Sequence, residues 1–463
     1  MLRPGVGASP KRAARVADRI VADVAAMGWP VGEVLGSEAD LLAHYEVSRA
    51  VFREAVRLVE HQQVVRTRRG PGGGLVITEP TKGAVTDAVA QYLRRVGARL
   101  DEVFEARIVL EGIASGLAAE RFAEVAPHGP IAANMPNNAD VGLSEFHTWV
   151  AAGSGNACLE LLVNVLCDVT RRYSTQGELS AGAPEKGVRD EHVGIADAIA
   201  AGNRGLASNR MQKHLENRAE HSRRRRSIRQ LLPPLAMRED TAAGKKGEVV
   251  ALSLSRFILS ERLQPGQLVG TELELIEREG ASRALLREAV RLLEHQQIAR
   301  MKRGPGGGLF VMAPGPDAVY EMAAICLARR ATPRADVEAC RITVEAAIAA
   351  LAAERWDEES AAGMEQALSR GEFASDAEWA TVGDEFHAAI AGATRNKVLL
   401  LVVLVLIRLS QRLHQEGSAA RGRKRARAEA DVAHQDIARA LESRRADVVR
   451  ELVRQHLGTP DAR

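Results

Sequence analysis

Residues 53–75 read REAVRLVEHQQVVRTRRGPGGGL, and residues 287–309 read REAVRLLEHQQIARMKRGPGGGL. Both segments are an arginine-bearing amphipathic stretch that runs into a glycine-rich turn. Their positions differ by a constant 234, since Ser48 matches Ser282 and Gly70 matches Gly304. Self-similarity at a fixed offset is the signature of an internal repeat, and it decides the architecture of the whole chain.

The repeat continues beyond this segment. RIVLE at 107–111 returns as RITVE at 341–345 with the same offset. Further on, EFH at 145–147 returns at 385–387, where the offset has grown to 240. The sequence therefore predicts a tandem duplication of a unit of roughly 230 residues, which is the size of a two-domain protein.

The composition is that of a folded, helix-rich chain. Of its 463 residues, 46% are hydrophobic and 27% are charged, which excludes a wholly disordered protein. Only 3% are aromatic, so the cores must consist of Ala, Leu, Val and Ile, and the abundance of Ala and Leu favours helices. The net charge of +3 is nearly neutral, so any face that binds nucleic acid must come from local placement of basic residues.

Several features predict a soluble, cytoplasmic protein with no membrane partner. The four cysteines show no CxxC spacing, which fits a reducing compartment and argues against a cysteine-based zinc site. No apolar run follows the basic residues at 11–15, so we expect no signal peptide. The most apolar stretch, residues 398–407, is far shorter than the about 20 residues that span a bilayer and predicts a buried core helix.

The start of each copy predicts three short helices and a hairpin. In the first copy, the apolar residues of 16–24 recur at helical spacing. Ser37 and Ser48 can cap a second and a third helix, because their side chains can accept from free backbone N–H groups. Two short β-type segments, 64–67 and 75–78, then flank the glycine-rich turn.

This order of elements is that of a winged helix-turn-helix. Arg49, Arg53 and Arg57 lie along one side of the third helix, where they can reach base edges and phosphates in the major groove. The glycine turn lets backbone N–H groups approach the DNA closely, because no Cβ stands in the way. An arginine stripe alone is typical of a solvated helix and GPGGG alone of a turn, but their order, found twice, indicates DNA binding.

The first copy contains Ser37-Glu38, Leu41, Val47-Ser48-Arg49, Arg53-Glu54-Ala55, Leu58 and the glycine wing. The second copy contains Thr271-Glu272, Leu275, Ala281-Ser282-Arg283, Arg287-Glu288-Ala289, Leu292 and Gly304–Gly308. This pattern resembles the GntR family of bacterial regulators, in its FadR-like branch. The resemblance implies that operator DNA is contacted by Ser48, Arg49, Arg53, Gly72, Gly73, Ser282, Arg283, Arg287, Gly306 and Gly307.

One departure from the family pattern concerns the residue after the Glu of the second helix. In the family this residue is often basic and contacts the DNA. Here it is Ala39 in the first copy and Leu273 in the second. The base preference or the affinity is therefore expected to differ from the family norm.

The second domain of each copy is predicted to be a helical bundle that holds three histidines. They are His147, His192 and His214 in the first copy, and His387, His434 and His456 in the second. A helix break near residue 203 lies eleven residues from both His192 and His214, so in an antiparallel hairpin the two imidazoles stand at the same level. Three imidazoles that converge inside a bundle can hold a divalent metal.

The histidines belong to a longer pattern of R…E, FH, EH and a final H. It comprises Arg107, Glu111, Phe146-His147, Glu191-His192 and His214, and then Arg341, Glu345, Phe386-His387, His434 and His456. The pattern resembles the FCD ligand-binding domain of FadR-like regulators. The resemblance implies that the three histidines and an Asp bind a metal, and that the metal helps to hold a small carboxylate. It also implies that Arg107 and Arg341 bind the effector as anion partners.

The Asp of the family pattern, four residues before the first histidine, is absent from both copies. Leu143 stands there in the first copy and Gly383 in the second, and Asp384 is one residue, or about 100° of helix, out of register. Three histidines and water still suffice for zinc or nickel, so a divalent metal remains the predicted cofactor.

Together these patterns predict a mainly α, non-enzymatic transcription regulator built from two tandem units. Each unit is a winged helix-turn-helix followed by an all-α effector domain. The expected ranges are 10–80 and 245–314 for the winged domains, 85–222 and 318–458 for the helical domains, and 223–244 for the linker.

Because relatives act as homodimers on palindromic sites, the duplication predicts a pseudo-dimer within one chain, with further homodimerisation left open. Its operator is expected to be an imperfect palindrome of double-stranded DNA, because the third helices read Ala-Val-Phe at 50–52 and Ala-Leu-Leu at 284–286. An effector, expected to be an organic acid, would shift the placement of the two DNA-binding modules and so change operator affinity.

Two other classes of function stay open at this stage. A metal-dependent hydrolase or lyase could use the histidine cluster, but no Glu or Asp stands at a spacing that makes it an evident general base. A ligand-free protein that binds DNA or another partner would fit the missing Asp.

Overall fold

A computed structural model gives the fold. It describes residues 12–68, 70, 73–80, 82–125, 143–174, 186–225, 246–295, 298–302, 304–373, 379–415 and 423–458. The chain divides into two compact units, one of residues 1–96 with 234–331 and the other of residues 97–233 with 332–463. The first unit holds both winged domains, and the second holds both helical domains. Most of the predicted linker lies outside the described residues.

The first winged domain has three helices and three short strands. They are α1 (Arg12–Ala26), β1 (Val34–Gly36), α2 (Glu38–Tyr45), α3 (Arg49–His61), β2 (Val65–Arg68) and β3 (Gly74–Ile77). Helix α4 (Lys82–Arg95) follows. The side chains of Ser37 and Ser48 accept from the backbone N–H of Asp40 and Val51, which confirms both predicted caps. The core packs the apolar faces of α1 and α3 around Tyr45 and Phe52.

The two strands predicted from the sequence pair with a third that was not predicted. Strand β3 lies between β1 and β2, and all pairs are antiparallel. Gly74 begins β3 with a φ of 155°, and a Cβ there would collide with the carbonyl oxygen of Gly36. The glycine is therefore required where β1 crosses the base of the wing.

The second winged domain repeats this order. It comprises α10 (Lys246–Ser260), β4 (Leu268–Gly270), α11 (Glu272–Glu279), α12 (Arg283–His295), β5 (Ala299–Lys302) and β6 (Gly308–Val311), and α13 (Asp317–Arg329) follows. Thr271 caps α11 in a capping box with Glu274. The strand order is β4-β6-β5, as in the first copy.

Each winged domain also contacts the connecting helix of the other copy. Helices α4 and α13 pack against each other, and Ile325 of α13 joins the core of the first winged domain. Arg329 of α13 forms an ion pair with Glu79, which follows β3. Its equivalent in α4, Arg95, donates from Nη2 to the carbonyl oxygen of Met312 at 2.7 Å. The connections between the copies thus run in both directions.

The two helical domains fill the second unit. The first consists of α5 (Leu100–Val125), α6 (Leu143–Gly153), α7 (Ala157–Ser174), α8 (Lys186–Ala200) and α9 (Arg204–Arg225). The second consists of α14 (Arg334–Glu354), α15 (Glu358–Phe373), α16 (Trp379–Ala393), α17 (Lys397–Gln415), α18 (Arg423–Glu442) and α19 (Ala446–Gly458). Residues 398–407 lie in α17 and are almost entirely buried, which confirms the predicted core helix. Within the described part of the chain, no helix has both the length and the apolarity needed to cross a membrane.

The helical domains pack against each other through equivalent residues. Asn156, just before α7, donates from Nδ2 to the carbonyl oxygen of Asp336 at 2.7 Å. Asn396, just before α17, donates from Nδ2 to the carbonyl oxygen of Glu102 at 2.9 Å. Positions 156 and 396 are equivalent in the two copies, and so are 102 and 336. The same hydrogen bond is therefore made once in each direction.

Candidate DNA-binding surface and metal centres

Helices α3 and α12 present the arginines that the sequence singled out. The side chains of Arg53, Arg283 and Arg287 are 67%, 61% and 65% exposed. Arg53 Nε lies 3.4 Å from Glu38 Oε1, while Arg283 and Arg287 both pair with Glu272. The acidic residue at the start of the second helix thus holds the cations on the surface without burying them.

The other predicted contact residues fall in two places. Ser48 and Ser282 are exposed caps at the first turn of α3 and α12. Gly73 and Gly307 close the wing turns, where their N–H groups donate to the carbonyl oxygens of Gly70 and Gly304 at 2.8 Å and 2.9 Å. Gly306 has a φ of 70° after Pro305, as a type II turn requires. Gly72 lies outside the described residues.

Helices α3 and α12 differ less at the surface than the sequence suggested. Phe52 and Leu286, where the third helices diverge most, are buried and cannot touch DNA. The exposed arginines occur at equivalent positions in both helices. The clearest exposed difference is on the second helix, where Leu273 is 71% exposed and the first copy has Ala39.

The helical domains each bring three histidines together. In the first domain His147 lies on α6, His192 on α8 and His214 on α9, and a ligand atom of each lies within 4.8 Å of the others. The Nε2 atoms of His192 and His214 are 3.3 Å apart, so the two histidines flanking the helix break do meet. His387, His434 and His456 converge in the same way, and Nε2 of His434 is 3.2 Å from Nε2 of His456.

Carboxylates contact the Nδ1 atoms of three of the imidazoles and fix the orientation of these rings. Glu111 Oε2 lies 2.5 Å from His147 Nδ1, and Glu345 Oε2 lies 2.8 Å from His387 Nδ1. Glu191 Oε2 lies 2.6 Å from His214 Nδ1. These contacts leave Nε2 of the three histidines free to bind an ion, because a carboxylate that accepts from Nδ1–H fixes the tautomer and the orientation of the ring. In the second domain Ala433 stands where the first has Glu191.

The environment favours the neutral form of two imidazoles in each cluster, and metal binding requires neutral imidazoles. Burial, helped by His147 and His214, lowers the pKa of His192 to about 2. Burial also lowers the pKa of His214 to about 4, with His147 acting in the same direction. In the second domain, burial together with His387 lowers the pKa of His434 to about 2 and that of His456 to about 3.

Arg107 and Arg341, which the sequence predicts to bind an effector, pair with the glutamates that contact His147 and His387. Arg107 Nε lies 2.6 Å from Glu111 Oε1, and Arg341 Nε lies 2.7 Å from Glu345 Oε1. Burial acts to raise the pKa of Glu111, but Arg107 and His147 lower it to about 2. Each glutamate therefore stays ionised between an arginine and a histidine, and joins the predicted anion site to the predicted metal site.

In the second domain, the position at which the family pattern has Asp is Gly383. A Cβ at Gly383 would lie 3.9 Å from His434 Cε1, so this position faces the histidine cluster. The neighbouring Asp384 accepts a hydrogen bond from Gln411 on α17 and is not part of the group of ligand atoms. Its carboxylate is out of register, as the sequence indicated.

Some functional residues were not foreseen. The sequence pattern includes Glu111, Glu345 and Glu191, but not their role as supports of the histidines. That role depends on packing between residues that lie 23 to 42 positions apart in the chain. The EH pair at 191–192 gives no local signal of this role, because Glu191 contacts His214 on the next helix.

Comparison with known proteins gives the class to which this arrangement belongs. The family model described as FCD domain matches residues 102–217 and 336–459, together more than half of the chain. The chain therefore belongs to the FCD-domain transcription regulators, the FadR-like branch of the GntR family.

Individual relatives match about half of the chain. The HTH-type transcriptional regulator LutR of Bacillus subtilis (strain 168) is 28% identical over 202 residues, which are 40% of this chain and 90% of that protein. Among solved structures, Streptococcus agalactiae GntR is 19% identical and covers 47% of this chain and 100% of its own, with a TM-score of 0.35. E. coli McbR/YncC is 18% identical and covers 46% and 96%, with a TM-score of 0.23. Scores this low add nothing to the assignment.

Proposed function

We propose that this regulator acts as a pseudo-dimer within one chain, whose two winged domains bind the two halves of one operator. Its helical domains would hold a divalent metal and sense a small organic acid. The observation that carries the proposal is the set of reciprocal contacts between the copies. In a dimer with twofold symmetry, residue i of one subunit contacts j of the other and j contacts i.

The helical domains meet this criterion twice. Besides the two asparagine contacts, the N–H of Ala157 donates to the Asp336 carboxylate at 3.2 Å, and the N–H of Lys397 donates to the Glu102 carboxylate at 2.9 Å. The acceptors are again equivalent residues of the two copies. Such contacts are expected if each copy takes the place of one subunit of an ancestral homodimer.

The winged domains support the same reading. The equivalent residues Arg95 and Arg329 each bind the end of the other copy's wing sheet. With nearly identical exposed faces on α3 and α12, we expect two similar half-sites. We assign the expected difference between the two half-sites to the second helix, which has Ala39 in the first copy and Leu273 in the second.

The donor set fits zinc or nickel, both of which accept several neutral imidazoles. His147, His192 and His214 would hold one ion, and His387, His434 and His456 a second. Such an ion supplies a positive charge that can hold a carboxylate beside Arg107 or Arg341. Binding of the acid would change operator affinity by the difference in its free energy of binding to the DNA-bound and the free chain.

The experiment is to select DNA from a genomic library with the purified chain, and then to determine the mass of the complex by native mass spectrometry. We expect one chain on a site with two related half-sites. Footprinting should show protection of both. A single protected half-site for each chain, or two chains on one palindrome, would contradict the pseudo-dimer.

A further inference from the structure

Two buried polar atoms of the first helical domain have no hydrogen-bond partner among the described residues. They are Oδ1 of Asn164, a residue only 9% exposed, and Nε of Arg189. Buried polar groups in folded proteins are almost always paired, so an acceptor and a cationic donor left over in one domain call for an explanation. A bound molecule that pairs with both atoms is one.

Both residues lie one helical turn from a residue of the predicted effector site on the same helix. Asn164 precedes by three residues Cys167, whose Sγ donates to Glu111 Oε1 at 3.7 Å. Arg189 precedes His192 by three residues. Since residues three apart in a helix are neighbours on its surface, Asn164 lies next to Cys167 on α7 and Arg189 lies next to His192 on α8.

The second helical domain lacks this pair. Leu404 is the equivalent of Asn164, and Asp431 is the equivalent of Arg189. Among the described residues of that domain, the buried side-chain atom without a partner is Thr332 Oγ1, which precedes α14. The second domain therefore has an apolar side chain in place of the Asn164 acceptor and an anion in place of the Arg189 cation.

Charge near the effector arginine also differs between the copies. Asp384 acts electrostatically on Arg341 and stabilises its cation. The equivalent position in the first copy is Ser144, which carries no charge. Each arginine already pairs with a glutamate, Glu111 or Glu345, so an incoming carboxylate would meet one further carboxylate beside the arginine in the second domain.

We propose that only the first helical domain binds the effector, and that this effector is a small carboxylic acid bearing a hydroxyl group. The proposal rests on the proposed function, because it assigns the ligand of that regulator. The carboxylate would pair with the guanidinium groups of Arg107 and Arg189, and the hydroxyl would donate to Asn164 Oδ1. An ammonium group in place of the hydroxyl would be repelled by the two guanidinium groups.

The test is calorimetric titration of the whole chain, in the presence of Zn²⁺, with matched acids. Glycolate and malate carry the hydroxyl, acetate and succinate lack it, and glycine carries an ammonium group instead. We expect one site for each chain, with a hydroxy acid bound at least tenfold more tightly than its counterpart and than glycine.

Variants that exchange residues between the copies identify the domain. We expect Asn164→Leu to abolish the preference for the hydroxyl, and Arg189→Asp to weaken binding at least tenfold. The matched changes Leu404→Asn and Asp431→Arg, made singly, should leave both unchanged. Asn164→Ala serves in place of Asn164→Leu if the larger side chain prevents folding, as judged by circular dichroism.

Three results would overturn the inference: two equal sites for each chain, a hydroxyl preference that survives in both Asn164 variants, or no binding of any of these acids. Operator binding is measured separately, by fluorescence anisotropy without acid. Two equal acid sites in a chain that binds its operator would remove this inference alone, whereas failure to bind DNA would remove the proposed function.

Discussion

Arginines on an exposed helix face are the residues by which this chain is expected to meet DNA. We expect Arg49→Ala and Arg283→Ala each to weaken operator binding by about 1–3 kcal/mol, since each removes one cation that can contact a base or phosphate. Fluorescence anisotropy at several salt concentrations measures the loss. A smaller salt dependence would indicate a lost phosphate contact.

The matched control is Arg439→Ala, which removes an exposed arginine from the helical unit. It should leave operator affinity unchanged. Equal affinity in all three variants and the native chain would contradict the assigned role of Arg49 and Arg283.

Gly383 offers a gain-of-function test of the metal centre. Because a Cβ at this position faces His434, Gly383→Asp should add a fourth ligand to the second cluster and tighten Zn²⁺ binding. Competition with a chromophoric chelator measures the affinity. Gly392→Asp on the same helix, where a Cβ meets open space, should have no effect. Unchanged affinity in the Gly383 variant would argue against metal at that cluster.

Asp384 gives the stability of the metal-free chain a pH dependence. Burial raises its pKa from 3.8 to about 7, although Arg341 acts to lower it. Between these values the folded chain binds a proton that the unfolded chain has released, so this residue's contribution to stability falls as pH rises from about 4 to 7. Asp384→Asn removes the titration.

We therefore expect the variant to gain stability relative to the native chain by up to about 1.4 kcal/mol for each pH unit in that window, and nothing further above pH 7. Urea unfolding at pH 5, 6, 7 and 8, with chelator present, measures the difference. A constant difference across the series would show that Asp384 titrates normally.

At the scale of the elements, the wing depends on one glycine in each copy. Gly308 begins β6 with a φ of 156°, and a Cβ there would lie 2.5 Å from Leu268 Cδ1 and 2.8 Å from the carbonyl oxygen of Gly270. We expect Gly308→Ala to destabilise the winged domain by roughly 1–3 kcal/mol, measured by urea unfolding. Gly363→Ala, within helix α15 and facing open space, should be neutral or stabilising.

The same elements show what local sequence can and cannot predict. Ser37 and Ser48 were recognised as caps because a cap needs only residues that are adjacent in the chain. Strand β1 was missed, since it has three residues and forms only by pairing with β3, about forty residues later. The burial of Phe52 and Leu286 was missed for a similar reason, because the stripe of α3 that is buried depends on how α1 packs on it.

For the whole molecule, the reciprocal interface should be sensitive to substitution on both sides. Asn156→Ala and Asn396→Ala each remove a hydrogen bond that crosses between the helical domains, and each should cost about 1–3 kcal/mol because a carbonyl at the interface, partly buried at Asp336 and buried at Glu102, loses its donor. Asn209→Ala, on an exposed face of α9, is the control. Urea unfolding measures all three.

A loss of stability in only one of the two interface variants would show that the contacts are not energetically equivalent.

The duplication and the order of the domains could be predicted from the sequence, because parts of the two copies are nearly identical. The packing of one copy against the other could not, since no local pattern says which surfaces meet.

The two thiols at the interface show what fusion into one chain makes possible. Cys158 of α7 is hydrogen-bonded to Cys340 of α14, and this contact and burial raise the pKa of Cys340. The equivalent residues are Val398 and Ala106, so the thiol pair occurs once. In an assembly of identical subunits every substitution is imposed on both sides of the axis. A gene that encodes both halves is free of that constraint, and one half can specialise while the other keeps its ancestral role.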